Sequence, residues 1–135
     1  MKSKLLKKLS PSQKKGQKFE RFSESYLKKK GMKLITRNFN CRHGEIDLIM
    51  QDEQTLVFVE VRYRNNPGFG SALDSITPTK QKKIIKTAQY YLQTNSWTNH
   101  LFCRFDAFGI IGNDKQEANS ASDYQFEWIK DAFSL

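Results

Sequence analysis

The run VFVEVRYR, Val57 to Arg64, constrains the fold of this chain more than any other stretch. Val57, Phe58, Val59 and Val61 favour extended backbone, and neither Gly nor Pro interrupts them. That is the pattern of a strand covered on both faces in the middle of a sheet. Glu60 and Arg62 are then anomalous. Side chains alternate along a strand, so these two project from the same face. An ionised carboxylate costs several kcal/mol to bury unless a charge or a metal compensates it. The identity of whatever compensates Glu60 is the central question about this protein.

Other elements group around this strand. Phe19, Phe22, Ser23, Tyr26 and Leu27 make one face of a helix running from about residue 13 to Lys30, with lysines opposite. Gly31 suits the position just past its end, and the preceding Lys28, Lys29 and Lys30 suit its C-terminal dipole. KLITRNF reads as a strand. Glu45–Met50 and Leu56–Arg64 read as a hairpin joined by QDEQ. NNPGFGS is a loop, and a second helix begins near Pro78 with Thr77 as its cap. Ile84, Ile85, Ala88, Tyr91 and Leu92 supply its buried side. LFCRFDAFGII is a further strand, GNDKQEANSASD a polar loop, and YQFEWIKDAF a last strand with a short helical turn. The order is α-β-β-β-α-β-β, a single α/β domain with a central mixed sheet flanked by helices.

The chain has 135 residues, enough for one domain with a real core. No apolar run approaches the ~20 residues of a membrane span. The N-terminus MKSKLLKKLS has neither the apolar core nor the cleavage site of a secretory signal. Residues 1–12 read as a basic arm on a cytoplasmic protein, with the domain over 13–135. Cys41 and Cys103 are far apart and outside any CxxC spacing, which excludes a zinc site or a disulfide framework and leaves free, partly buried thiols. His43 and His100 are equally isolated. The net charge of +9 resembles a nucleic-acid signature, but residues 1–30 carry all of the excess and the remainder is balanced. A solvated, solubilising arm accounts for the charge as well as a phosphate-binding one does.

Asp47 repeats the problem of Glu60, enclosed by Ile46, Leu48 and Ile49 on the strand paired with that of Glu60. Two close carboxylates repel, and one takes up a proton unless a cation lies between them. A hard divalent ion such as Mg²⁺ resolves the conflict, since it takes one or two protein carboxylates together with water and phosphate oxygens. With Arg62 facing the same spot, such a group suits phosphodiester hydrolysis. The alternative is structural: Glu60 and Arg62 as salt-bridge partners on a half-exposed face, with Asp47 at an exposed strand end. Lys80, Lys83 and Lys86 form a stripe on the second helix that suits nucleic-acid phosphates or, equally, solvent. Tyr90, Tyr91 and Trp97 suit either base stacking or the core.

The blocks KKGQKFERFSESYLKKKG, TRNFNCRHGEIDLI, VFVEVRYRNNPGFGSALDSITPTKQKKI and CRFDAFGI occur in that order. From about Lys15 to near the C-terminus the chain resembles the YraN-like family of small bacterial predicted endonucleases. That family looks like a branch of the restriction-endonuclease-like PD-(D/E)xK superfamily, related in fold to archaeal Holliday-junction resolvases. The resemblance implies a nuclease acting on DNA, with branched or structured DNA as the analogy, and Mg²⁺ as cofactor with Mn²⁺ as a substitute. It implies Asp47 and Glu60 as metal ligands, the Val61 carbonyl completing the set, and Glu20 approaching from the first helix. Arg62 stands where the superfamily motif has Lys. It can hold a phosphate oxygen but cannot serve as a base, and Lys80 is a candidate for the missing ammonium. Resolvase-like action would call for a homodimer. A non-catalytic nucleic-acid-binding module that keeps the nuclease fold is the alternative.

Overall fold

A computed structural model of the protein describes residues 8–65, 68, 70–112 and 120–134. Most of the basic arm, Asn66, Pro67 and Phe69 of NNPGFGS and most of GNDKQEANSASD lie outside the described residues.

Helix α1 (Pro11–Lys29) starts where Ser10 accepts from the Gln13 amide while the Gln13 side chain accepts from the Ser10 amide, a reciprocal cap that satisfies two otherwise orphaned donors. It therefore begins two residues earlier than the apolar pattern indicates, and Pro11 and Ser12 belong to its first turn. Gly31, at φ 97°, ends it in the left-handed conformation that costs glycine nothing. Strands β1 (Lys33–Cys41), β2 (Gly44–Asp52) and β3 (Thr55–Arg64) follow as an antiparallel meander. The β2–β3 turn is tighter than QDEQ suggests, because Asp52 and Thr55 still pair and Glu53 adopts φ 53°. Helix α2 (Pro78–Thr94) begins as expected, with the Thr77 hydroxyl accepting from the Lys80 amide at 3.2 Å. It crosses one face of the sheet and returns the chain as β4 (Phe102–Ile111), parallel to β3. Strand β5 (Gln125–Phe133) closes the sheet antiparallel to β4, giving the order β1-β2-β3-β4-β5. The short helical turn expected at the chain end is absent from the described residues: a 3-10 turn precedes β5 at Ala121–Asp123, and the whole of QFEWIKDAF is strand.

The central position of β3 explains its composition. Val57 and Val59 face α1 in a cluster with Phe19, Leu27, Leu48 and Phe108. Leu56 and Phe58 face α2, against Ile84, Ala88 and Tyr91. Neither helix could bury its stripe without the sheet, and β3 loses both faces to them.

Two buried acids hold the framework. Glu24 of α1 takes a two-pronged bond from Arg37 of β1, at 2.6 and 2.9 Å, and the guanidinium holds its carboxyl below the usual range. Asp106 of β4 is fully buried and saturated. It accepts from Arg104 Nε at 3.0 Å, Trp128 Nε1 at 2.9 Å and the Asp131 amide at 2.9 Å. The last of these pins a bulge where Asp131 adopts φ 51° and the β4–β5 register shifts. Asp106→Ala strips three donors at once and is expected to destabilise the fold by ~3 kcal/mol, read as a lower denaturant midpoint at unchanged slope.

Candidate active site

Beyond Arg37↔Leu48 the β1–β2 ladder misses one rung, Asn38 opposite Asp47, and resumes at Phe39↔Ile46. Both strands change phase there. Arg37 reaches α1 through Glu24, whereas Phe39 packs on Tyr91 of α2. Leu48 lies in the α1 cluster, whereas Ile46 lies in the α2 cluster. Residues two apart on a regular strand share a face, so the backbone must turn at Asn38 and Asp47. Asn38 absorbs the turn at φ 49°, a conformation that Asn tolerates better than most residues.

The same rung is where β2 parts from β3, whose ladder ends at Leu48↔Val59. Asp47 reaches across to the edge this opens on β3, and its Oδ2 accepts from the Val61 amide at 2.8 Å, in place of a backbone carbonyl of β2. The N–H and C=O of one strand residue point to the same neighbouring strand. The Val61 carbonyl is therefore directed at this opening too.

Glu60 is buried beside Asp47 on the α2 side, close enough for each carboxyl to act on the other's proton affinity. Burial, and then the Asp47 charge, push Glu60 up to about 8. Burial also raises Asp47, against the opposing pull of the Val61 amide, Glu60, Lys80 and Arg62. Burial and mutual repulsion thus both favour protonation of this pair over two free carboxylates. Two cations face them: Lys80 Nζ lies 3.6 Å and Arg62 NH1 3.7 Å from Glu60 Oε2. Arg62 is held in place by Ser75, whose hydroxyl accepts from Arg62 Nε at 3.0 Å and donates to the Ala72 carbonyl at 2.7 Å. From the α1 side Glu20 approaches Asp47. Burial and then the Asp47 charge lift it to about 7, while Asn38 donates to it. A cleft of about 260 Å³ opens beside Glu20, lined also by Gln13, Gln17, Asn38 and Glu45.

Every catalytic candidate of the sequence, Glu20, Asp47, Glu60 and Arg62, is thus brought to one place, with Lys80 among them. Lys83 and Lys86 are exposed along α2 and lie outside it. Tyr91 is core, whereas Tyr90 and Trp97 are exposed at 36% and 44%. Cys41 and Cys103 are free thiols, the latter exposed rather than partly buried. Ser75 and Asn38 are the two positioning residues that the sequence pattern does not reveal. Ser75 carries no sequence signal, and for Asn38 the only trace is an Asn inside a strand.

Among the described residues no three His, Cys, Asp or Glu side chains converge to hold an ion. The donors that would face a divalent cation here are the pair Asp47 and Glu60 with the Val61 carbonyl. This fits a hard, largely hydrated ion that needs one or two carboxylates, and it does not make a closed cage. A cation there would also favour the ionised form of both acids.

No described helix is long and apolar enough to cross a membrane. The profile of the uncharacterised protein family UPF0102 matches residues 19–110, which span both carboxylates, both cations and the phase change at Asn38. A UPF0102 protein of Psychromonas ingrahamii is 47% identical over 130 residues, covering 96% of this chain and 98% of that one. One of Nitrosococcus oceani is 46% identical over 121 residues, at 90% and 92% coverage. One of Pseudomonas syringae is 42% identical over 125 residues, at 92% and 96%. With near full-length relatives at these identities, the chain belongs to the UPF0102 family.

Proposed function

We propose that the protein is a Mg²⁺-dependent endonuclease that hydrolyses phosphodiester bonds in DNA, as its resemblance to the YraN-like predicted endonucleases implies. The observation that carries the reading is the pairing of Asp47 and Glu60 on adjacent strands, half-buried or buried, with Lys80 and Arg62 within 4 Å of Glu60. A purely structural acid of this kind would be saturated with donors, as Asp106 is. Glu60 instead is buried against a second acid, which together with burial raises its carboxyl, and its two cations stand off at 3.6 and 3.7 Å.

Asp47, Glu60 and the Val61 carbonyl would hold the ion. When bound, it polarises a phosphoryl oxygen and makes a nucleophile available from water at neutral pH. The protein's own groups do the rest. Asp47 is fixed by the Val61 amide, so the donor set is oriented before substrate arrives. Arg62, braced by Ser75, offers N–H donors to a non-bridging phosphate oxygen. Lys80 takes the place of the motif lysine from a helix rather than from the strand, and its ammonium can meet charge developing on the phosphate. Glu20, with a proton affinity near neutrality, can accept the proton of the attacking water. The new bond joins water oxygen to phosphorus, the ester P–O bond breaks with its electron pair on the leaving strand's oxygen, and that oxygen takes a proton from solvent.

The test is cleavage of labelled linear duplex, single strand, flap and four-way junction with Mg²⁺, with Mn²⁺ and with chelator. Metal-dependent cutting is the expected result. Binding without cutting under every condition would point to a nucleic-acid-binding module on a nuclease-like fold. Lys80→Ala is expected to slow cutting by ~100-fold, and Arg62→Lys to retain it. Loss of cutting in Arg62→Lys would make the guanidinium fork the required group.

A further inference from the structure

The β1–β2 turn carries Arg42 and His43 over the flank of α2. Gly44 makes that approach feasible: it sits at φ 147°, and a Cβ there would stand 3.0 Å from the Thr87 hydroxyl. Between turn and helix lies a cleft of about 330 Å³, formed by Arg42, His43, Lys86, Gln89, Tyr90 and Gln93. This is the small end of the ~300–1,000 Å³ range of ligand clefts. None of its walls is a carboxylate. The Tyr90 ring is braced on one side by Phe39, nearly parallel at 6.4 Å and 30°, and Phe39 is itself set edge-on to core Tyr91 at 5.0 Å. Tyr90 remains more than a third exposed, with the His43 ring inclined to it at 5.9 Å. Tyr90 thus presents an open aromatic face beside the side of α2 that buries Ile84, Thr87, Ala88 and Tyr91.

Cations link this cleft to the carboxylates. Lys80, Lys83 and Lys86 recur every third residue, so α2 offers a positive charge about every 4.5 Å along its axis. Tyr90 stands about 15 Å along the axis from Lys80 by the same rise. Arg42 adds a further exposed charge from the turn.

We infer that this cleft is a subsite for an unpaired nucleotide. Tyr90 and His43 give its base a stacking surface, Gln89 and Gln93 offer amides to the base edge, and Arg42, Lys83 and Lys86 take the phosphates. The inference rests on the nuclease reading only for the direction of the strand, which runs from the cleft along α2 to Lys80. A base inside a continuous duplex has both faces covered and cannot present one to Tyr90. The preferred substrate therefore carries a single-stranded segment a few nucleotides from the bond that is cut, as a flap or a splayed junction arm does.

The experiment uses the full chain carrying Asp47→Asn, so that probes survive, and fluorescein-labelled (dT)12, (rU)12 and a blunt duplex. Tyr90→Ala in that background is expected to weaken binding of the single-stranded probes by roughly 5- to 100-fold, the effect of one lost base stack. Tyr90→Phe retains the affinity. Lys86→Glu lowers the slope of log affinity against log salt by about 1 or more. Should Tyr90→Ala melt early, Tyr90→Leu keeps an apolar contact with Phe39 without an aromatic face and is expected to show the same loss of binding. Binding of either single-stranded probe identifies the sugar preferred. Equal single-strand affinity in Tyr90→Ala and its parent would overturn the subsite, as would a loss of the same size for the blunt duplex. Cleavage by the wild type is read separately. Tyr90-dependent binding without cutting keeps the subsite and removes the nuclease, whereas cutting without Tyr90-dependence does the reverse.

Discussion

Asp47→Asn is expected to abolish metal-dependent cleavage, by at least ~1,000-fold, while leaving the fold intact. The position tolerates an amide sterically, and the Asn carbonyl can still accept from the Val61 amide, so the bend in β2 survives. What disappears is the charge that would hold a cation and draw one away from Lys80 and Arg62. Losing a secondary support of a metal site typically costs 10- to 100-fold, and losing a ligand costs more. Single-turnover cleavage of the preferred DNA, together with calorimetric titration of Mn²⁺, reads both effects. Retention of cutting in Asp47→Asn would remove this carboxylate from the chemistry. An unfolded Asp47→Asn would instead make the residue a structural element of the β2 bend, the structural alternative that the sequence leaves open.

The second large effect is on stability against pH, and its sign is opposite to the usual carboxylate case. Glu60 is lifted from 4.5 to about 8 and Glu20 to about 7, chiefly by burial and next by the Asp47 charge. The native state therefore binds more protons than the unfolded chain between those values. Stability contributed by these groups is fully present near and below pH 4.5 and is lost as pH rises toward 8. For Glu60 the loss over the whole span is several kcal/mol, at about 1.36 kcal/mol per unit. Glu24 and Asp74, both lowered by their hydrogen-bond donors, act in the opposite sense but only at the acid end. Urea unfolding at pH 5.5 and pH 8.5 without divalent ions is expected to show the lower stability at the higher pH. Glu60→Gln should remove most of that difference, and Mg²⁺ should reduce it by stabilising the ionised pair. A flat profile in the wild type would mean that the two acids are solvated and do not raise each other's proton affinity. A fold that loses stability through a buried acid pair is the cost expected of a site preorganised for a cation.

Much of this architecture is legible along the chain because it follows from local chemistry. The unbroken Val57–Val61 run requires a central strand, and β3 is buried on both faces. Thr77 followed by Pro78 marks the start of α2, and Gly31 marks the end of α1. Asp47 and Glu60 can be paired in advance because a tight hairpin leaves one register that keeps the apolar residues inside. The departures from the sequence pattern trace to particular side-chain hydrogen bonds, one local and one long-range. The reciprocal cap at Ser10 draws the helix start two residues toward the N-terminus, ahead of its first apolar residue. FEWIKDAF is drawn into the sheet by the Asp106 carboxylate, which captures the Asp131 amide and the Trp128 indole. A β-bulge held by a distant side chain leaves no periodicity to read.

The sequence by itself determined the element order, the central strand and the fact that two acids had to be compensated. Those follow from side-chain alternation and from the cost of burying charge. Only the tertiary structure decided how they are compensated. The simultaneous turn of β1 and β2 at Asn38 and Asp47 swings one carboxylate toward the opening beside β3, and the crossover of α2 lays Lys80 over the other. Ser75 then locks Arg62 from a segment 13 residues further along the chain. Such long-range placements depend on how whole elements pack, and no short stretch of residues encodes them.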